Sequence, residues 1–285
     1  MAAEAAACLI RCTRIGAPEL RLHRQLAAAF ARVVFLPNMD SPPHGLPSVP
    51  VTAGALSALG FGNLPSDWGW FCGDFCLYLA RAAMPEVPGF LLIESDVYLG
   101  APALRRLSDL VADRRDHAMA AQLGLRDKAR YSKGLAALGG EPRAGCIFPI
   151  VHAPAALIDD MAELRRRSLS SGRGRPINDE AVLAGAAMMH GHPMLALDQE
   201  APELLGPATF STNPPHLLDA LLRAQPPEAH HPALPLEVVL ARIADPARNY
   251  GAHRLRRVLA EADEGERTAL RDALDAAAGA RPASS

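Results

Sequence analysis

Aromatic side chains make up only 5% of this 285-residue chain, and no stretch interleaves them with basic residues. That argues against a stacking platform for single-stranded nucleic acid. Neither charge sign is in excess. The 29 Lys and Arg against 31 Asp and Glu give −2, so bulk electrostatics favour neither nucleic acid nor an anionic membrane surface. No apolar run approaches the ~20 residues a membrane helix needs. The segment Met1-Ala2-Ala3-Glu4-Ala5-Ala6-Ala7-Cys8 has no basic n-region and carries an acid, unlike a signal peptide. Five cysteines, an odd number without framework spacing, point to free thiols in a reducing, cytoplasmic setting. Cys72 and Cys76 would supply half a zinc site at most, and they read as small buried hydrophobes. A Walker-type loop, a dinucleotide fingerprint and a Gly-x-Ser-x-Gly elbow are all missing, which argues against kinase, dehydrogenase and serine-hydrolase chemistry.

What the chain does have is apolar material: 49% hydrophobic against 21% charged residues, enough for a large core and for one or two domains. Cys8–Cys12 and Arg32–Leu36 read as strands around an amphipathic helix over Pro18–Ala31, a right-handed parallel unit. The pattern predicts one helix from Asp67 to Met84, with Asp67 as its cap and a face of Trp70, Phe71, Phe75, Leu77, Tyr78 and Leu79. Further strands are expected at Phe90–Leu99, His117–Ala121, Gly145–Val151 and Pro193–Leu197. Further helices are expected over Pro102–Arg114, over Pro154–Arg167, and to His190 from a cap at Asn178 or Asp179. After Pro207 the chain turns Pro-rich, and its last ~45 residues read as charged helix. Strands alternating with helices make this an α/β protein.

The most specific stretch is Gly89-Phe90-Leu91-Leu92-Ile93-Glu94-Ser95-Asp96-Val97-Tyr98-Leu99. A continuous apolar run of this kind is a buried strand. Carboxylates at i and i+2 on an extended chain point to the same side. Such a pair is costly to bury unless a cation or a donor network neutralises it. Oxygen ligands suit magnesium or manganese, which commonly sit on substrate phosphates. The competing reading is a carboxylate pair that caps the next helix at Ala101-Pro102.

Taken with Trp70-Phe71-Cys72-Gly73-Asp74-Phe75-Cys76-Leu77-Tyr78 and Pro85-Glu86, this stretch resembles nucleotide-sugar-dependent glycosyltransferases of the GT-A fold. The resemblance runs over roughly residues 8 to 232. It implies a GT-A-like, Rossmann-like fold: a mixed, mostly parallel central sheet flanked by helices, with a C-terminal helical appendage. The catalytic domain would span 1–232 and the helical extension 233–285. The extension would cover the acceptor side or make a homodimer contact. Glu94-Ser95-Asp96 would be a Glu-x-Asp form of the acid-x-acid motif that binds Mn2+ or Mg2+. His231 would complete the metal set, with His230 as the competing choice. Asn178-Asp179-Glu180 would supply a catalytic base for the acceptor hydroxyl, Asp179 or Glu180, kept ionised by a pKa lowered at the helix start. The expected donor is a nucleotide-diphosphate sugar and the expected acceptor a glycan or small molecule.

Each residue also has a plainer reading. Arg11, Thr13 and Arg14 follow the first strand at the end where ligands bind in open sheets, so they are candidates for donor contacts; a solvated loop explains them equally. Asp74 and Glu94 would contact the nucleotide, or Asp74 would serve a buried hydrogen bond to a partner such as Arg11. Asp179 and Glu180 are ordinary helix-start residues, and His190 and His192 suit a helix C-terminus. Arg165-Arg166-Arg167 with Arg173 and Arg175 would clasp phosphate or form a solvated face. Two other functions compete with glycosyl transfer: a metal-dependent phosphohydrolase, disfavoured because the chain has Glu94, Asp96, Val97 and Tyr98 where two aspartates followed closely by a threonine would be wanted, and a non-catalytic scaffold of the same fold.

Overall fold

The apolar runs do become strands covered on both faces. A computed structural model describes residues 6–39, 45–126, 134–171, 176–211, 214–245 and 252–279. The chain divides into two compact units. The first is Met1–Ser95 with Leu104–Gly206, and the second is Asp96–Ala103 with Pro207–Ser285.

The first unit holds strands β1 (Ala7–Cys12), β2 (Val33–Pro37), β3 (Gly89–Glu94), β5 (Ala118–Leu125), β6 (Ala144–Pro154) and β7 (Met194–Ala196). They form one sheet in the order β2-β1-β3-β6-β5-β7. β1 pairs in parallel with β2 and β3, and β5 with β7; β6 is antiparallel to both of its neighbours, β3 and β5. The sheet is thus mixed and mostly parallel, with β6 alone reversed. Every position of β6 is buried, as expected of a central strand with helices on either side.

Its helices are α1 (Ala17–Ala27), α2 (Ala53–Ala58), α3 (Trp68–Phe71), α4 (Phe75–Ala83), α6 (Ala155–Ser170), α7 (Asp179–His190), α8 (Leu197–Glu200) and α9 (Pro202–Leu205); α5 (Ala101–Asp113) starts in the second unit and continues in the first. Phe75 of α4, Leu157 of α6 and Val182 of α7 share a core with Leu9, Leu92 and Val151 of the sheet. Each such side chain, fully buried, contributes about 1.5–3 kcal/mol. The register sets Arg11 opposite Glu94 and Cys12 opposite Pro37. The carboxyl ends of β1, β2 and β3 are therefore level, at the edge where open α/β sheets take ligands.

Two sequence expectations fail in this unit. The helix expected over Asp67–Met84 is interrupted between Phe71 and Phe75. The break occurs because the Gly73 N–H leaves the helical ladder and donates to Asp179 Oδ2 at 2.9 Å. The strand expected to reach Leu99 ends at Glu94, where the Ser95 N–H donates to the Arg11 carbonyl at 2.9 Å.

In the second unit β4 (Tyr98–Leu99) pairs antiparallel with β9 (Ala229–His230), and β8 (His216–Leu217) pairs in parallel with β10 (Ala233–Leu234). Its helices are α10 (Leu218–Ala224), α11 (Leu236–Ala244), α12 (Ala252–Glu261) and α13 (Glu264–Gly279). Leu217, Leu234, Val239, Ile243, Val258 and Leu270 make its main core. At Gly100 a Cβ atom would lie 2.3 Å from the Pro226 carbonyl oxygen, so only glycine permits that approach. Among the described residues, no helix is long and apolar enough to cross a membrane.

Candidate functional site

At the ligand end of the first unit, Arg11 gathers two carboxylates. Its Nη1 donates to Glu94 Oε1 and lies 3.8 Å from Asp179 Oδ2. Its Nη2 donates to the carbonyls of Gly69 at 2.8 Å and Trp70 at 3.1 Å. Burial alone would lower the Arg11 pKa, but the negative groups around it, Glu94 first and then Asp179 and Asp74 among them, together outweigh burial and hold the guanidinium protonated. Gly73 makes the crowding feasible. A Cβ there would fall 2.2 Å from Arg11 Nη1 and 2.7 Å from Asp179 Oδ2.

Asp179 opens α7 without capping it. The cap is Asn178, whose Oδ1 accepts from the Ala181 N–H at 3.0 Å. Asp179 instead takes the Gly73 N–H on Oδ2 and the Glu180 N–H on Oδ1, each at 2.9 Å. Burial pushes its pKa up to about 8, with Arg11 working in the opposite direction. The lowered pKa expected from a helix start is therefore overturned, because removal from water outweighs the helix end. Burial also raises Glu180, against the opposing hydrogen bond from Asn178, whose Nδ2 donates to Oε2 at 3.2 Å, and the charge of Arg126. A carboxyl group that titrates near neutrality can take or return a proton at working pH.

Asp74 lies elsewhere, wholly inside the core. Arg165 Nε donates to its Oδ2 at 2.8 Å and Nη2 to its Oδ1 at 2.7 Å, while the Tyr78 hydroxyl donates to Oδ2 at 2.6 Å. Both partners of the Arg165–Asp74 ion pair have no exposed side-chain surface. The buried partner is thus Arg165 rather than Arg11. This removes Arg165 from any solvent-facing arginine cluster; Arg166 lies over the Phe61 ring and Arg167 donates to the Leu138 carbonyl. Arg173 and Arg175 fall outside the described residues. Thr13 and Arg14 lie exposed in the turn after β1, and the structure does not bring them to the carboxylates. His190 and His192 both face Asp160, at 3.6 and 2.7 Å.

In the second unit Asp96 meets His231. His231 Nε2 lies 3.6 Å from Asp96 Oδ1. The Nδ1 atom of His231 is 2.7 Å from the Ser211 carbonyl oxygen. A carbonyl only accepts, so Nδ1 carries a proton and Nε2 is the ring nitrogen that faces Asp96. This is the orientation a metal-ligating histidine takes when a backbone carbonyl fixes its tautomer. The backbone reinforces the pairing: the Ala233 N–H donates to the Asp96 carbonyl at 2.6 Å. His230 points away, with its ring between Tyr98 and His216 at centroid distances of 5.8 and 4.5 Å. Within this unit Asp96 and His231 offer an oxygen and an imidazole ligand atom, donor types that fit manganese or magnesium.

Sequence reasoning missed the Gly73 amide, the Ser211 carbonyl and Arg165 as partners of these side chains. The first two are backbone groups that no side-chain pattern marks. Arg165 looks solvent-facing only because two more arginines follow it.

No family model matches the chain, and no curated protein matches it. Among solved structures it is similar to a glycosyltransferase involved in the glycosylation of the major capsid of PBCV-1, at 10% identity over 79% of this chain and 93% of that one, with a TM-score of 0.39. It is also similar to mouse xyloside xylosyltransferase 1, at 11% identity over 68% of this chain and 85% of that one, with a TM-score of 0.37. A third similar structure is described as mannose-1-phosphate geranyltransferase from Thermus thermophilus, at 15% identity over 68% and 70% of the two chains, with a TM-score of 0.30.

Proposed function

We propose that this protein is a metal-dependent glycosyltransferase that moves a sugar from a nucleotide-diphosphate sugar to a glycan or small-molecule acceptor. The observation that carries the reading is the Asp96–His231 pair, in which the Ser211 carbonyl holds Nδ1 and Nε2 is turned toward a carboxylate. These two residues would hold Mn2+ or Mg2+, with Glu94, two positions earlier in the chain, as the third ligand. The bound cation would supply Lewis-acid stabilisation of the departing diphosphate.

The remaining chemistry falls to the chain itself. Arg11, and Thr13 and Arg14 beyond β1, would contact the donor, with Arg11 also holding Glu94 in place. Asp74 would act through the core that seats α4 rather than by touching the nucleotide. Asp179 would take the acceptor hydroxyl proton as that oxygen bonds to the anomeric carbon and the bond to diphosphate breaks, a single displacement that inverts configuration. Glu180 is the neighbouring candidate for the same duty. The buried free thiols support a cytoplasmic setting, and the C-terminal helices would serve the acceptor side or a homodimer contact.

A thermal-shift series tests this: nucleoside diphosphates with manganese, with magnesium and with chelator, on wild type and on Asp96→Ala. A ligand at a hundredfold excess over its dissociation constant adds about 2.7 kcal/mol. We expect a manganese-dependent rise in Tm with one nucleotide and its loss in the variant. No metal-dependent shift with any nucleotide in wild type refutes the reading.

A further inference from the structure

Helix α12 reaches back to the segment that holds His231 with two charged side chains. Arg257 Nη1 donates to the Pro214 carbonyl at 3.3 Å and to His216 Nε2 at 2.8 Å, and its Nη2 donates to the Ala208 carbonyl at 3.3 Å. Because Nε2 accepts, the neutral His216 ring carries its proton on Nδ1, which lies 2.8 Å from Glu261 Oε1. Glu261 Oε2 also takes the Leu217 N–H at 2.9 Å. The clamp thus grips Ala208 and also Pro214, His216 and Leu217.

The groups that fix His231 are on the same part of the chain. The Thr209 carbonyl accepts the His231 N–H at 3.0 Å, and the Ser211 N–H donates to the His231 carbonyl at 3.2 Å. The Ser211 carbonyl takes the Nδ1 proton. His216, the residue between Arg257 and Glu261, donates its own N–H to the Pro232 carbonyl at 2.7 Å. A shift of the clamped segment would move the carbonyl that selects the His231 tautomer.

We propose that Arg257 and Glu261 are positioning residues: through residues 208–211 and 214–217 they set the tautomer and place of the His231 imidazole, which makes α12 a working part of the cation site. The inference rests on reading His231 as a metal ligand. Such supporting contacts change metal affinity by about 10–100-fold when removed.

The test uses 15N-histidine-labelled full-length protein without metal, with His231→Gln to assign the resonance. Wild type should show His231 protonated at Nδ1. Arg257→Met should give a mixture of tautomers, and Arg257→Lys, which keeps a cation, should restore the wild-type pattern in part. Titration with Mn2+ alone should then show about tenfold weaker binding for Arg257→Met. If Arg257→Met does not fold, Glu261→Gln carries the same two readouts. An unchanged tautomer and an unchanged Mn2+ affinity in a folded variant overturn the proposal. A tautomer change in a protein whose wild type binds no Mn2+ refutes the ligand reading and leaves the positioning of His231 standing.

Discussion

Asp74→Asn is the perturbation that best separates a structural acid from a ligand-binding one. The change leaves the Arg165 guanidinium at zero exposure with no carboxylate. An amide oxygen accepts one of the two hydrogen bonds, at 2.7 and 2.8 Å, that the carboxylate accepts from Arg165, and its NH2 group faces the guanidinium donors. Removing one member of a buried ion pair costs about 3–5 kcal/mol, a large share of the ~5–15 kcal/mol that holds a protein folded. For a unit of this size the equivalent drop in Tm is on the order of 10 °C. Arg165→Met alone should cost a similar amount, because it strands Asp74. The double variant Asp74→Leu with Arg165→Met should recover most of the loss, since a well-packed apolar pair often replaces a buried ion pair at no net penalty. Urea unfolding of wild type, Asp74→Leu, Arg165→Met and the double variant, followed by tryptophan fluorescence, gives the coupling directly. Single losses that add to within about 0.5 kcal/mol refute the pairing energetics. An Asp74→Asn protein of wild-type stability that no longer binds a nucleoside diphosphate shows instead that Asp74 meets the nucleotide.

Three other outcomes follow from the same geometry. Burial lowers His152 to about 4 from its ordinary 6.5, while Nδ1 donates to the His117 carbonyl at 2.9 Å and Nε2 has no hydrogen-bond partner among the described residues. A depressed folded-state pKa means stability is full above about 6.5 and is lost as pH falls toward 4. The loss is about 3 kcal/mol at roughly 1.4 kcal/mol per unit, and urea midpoints at pH 7 and 4.5 should show a smaller fall for His152→Gln. Gly73→Ala should push Arg11 off Asp179, given the 2.2 Å approach of a Cβ to Nη1; kcat should fall with only a modest change in Tm, and a kcat equal to wild type would contradict the placement. Asp179→Asn, which keeps the shape but not the basicity, should lower kcat by about 10²–10⁴-fold while leaving Mn2+ binding intact.

The sheet was legible because its strands are near-continuous apolar runs: Phe90–Ile93 and Ile147–Val151 leave no other good solution than a strand covered on both faces. Glu94 was legible for the same reason, since a charge at the end of such a run needs neutralising, which Arg11 does; that the strand stops before Asp96 was not. The break in the Trp68–Ala83 region was not, because it depends on a hydrogen bond from Gly73 to a residue 106 positions away. The raised pKa of Asp179 was hidden likewise: a helix start predicts the opposite sign, and only the packing around α7 shows how far the group is removed from water. The departure of Asp96–Ala103 from the first unit left its mark only in Gly100, whose need for glycine comes from Pro226 and Pro227 far along the chain. The short strands between Pro207 and Leu234 escaped notice because proline density there masks any alternation.

All five cysteines are buried, and all belong to the first unit. Burial pushes Cys12 and Cys76 up to about 12 and raises Cys8, Cys72 and Cys146 as well, so an alkylating reagent finds almost no thiolate while the unit is closed. The molecule therefore carries its own stopwatch. The rate at which each thiol is capped measures how often its neighbourhood opens, Cys8 and Cys146 timing the sheet and Cys72 and Cys76 the α3–α4 break. The second unit is silent to the reagent. Melting followed by thiol capping and melting followed by far-ultraviolet dichroism will coincide only if the two units unfold together.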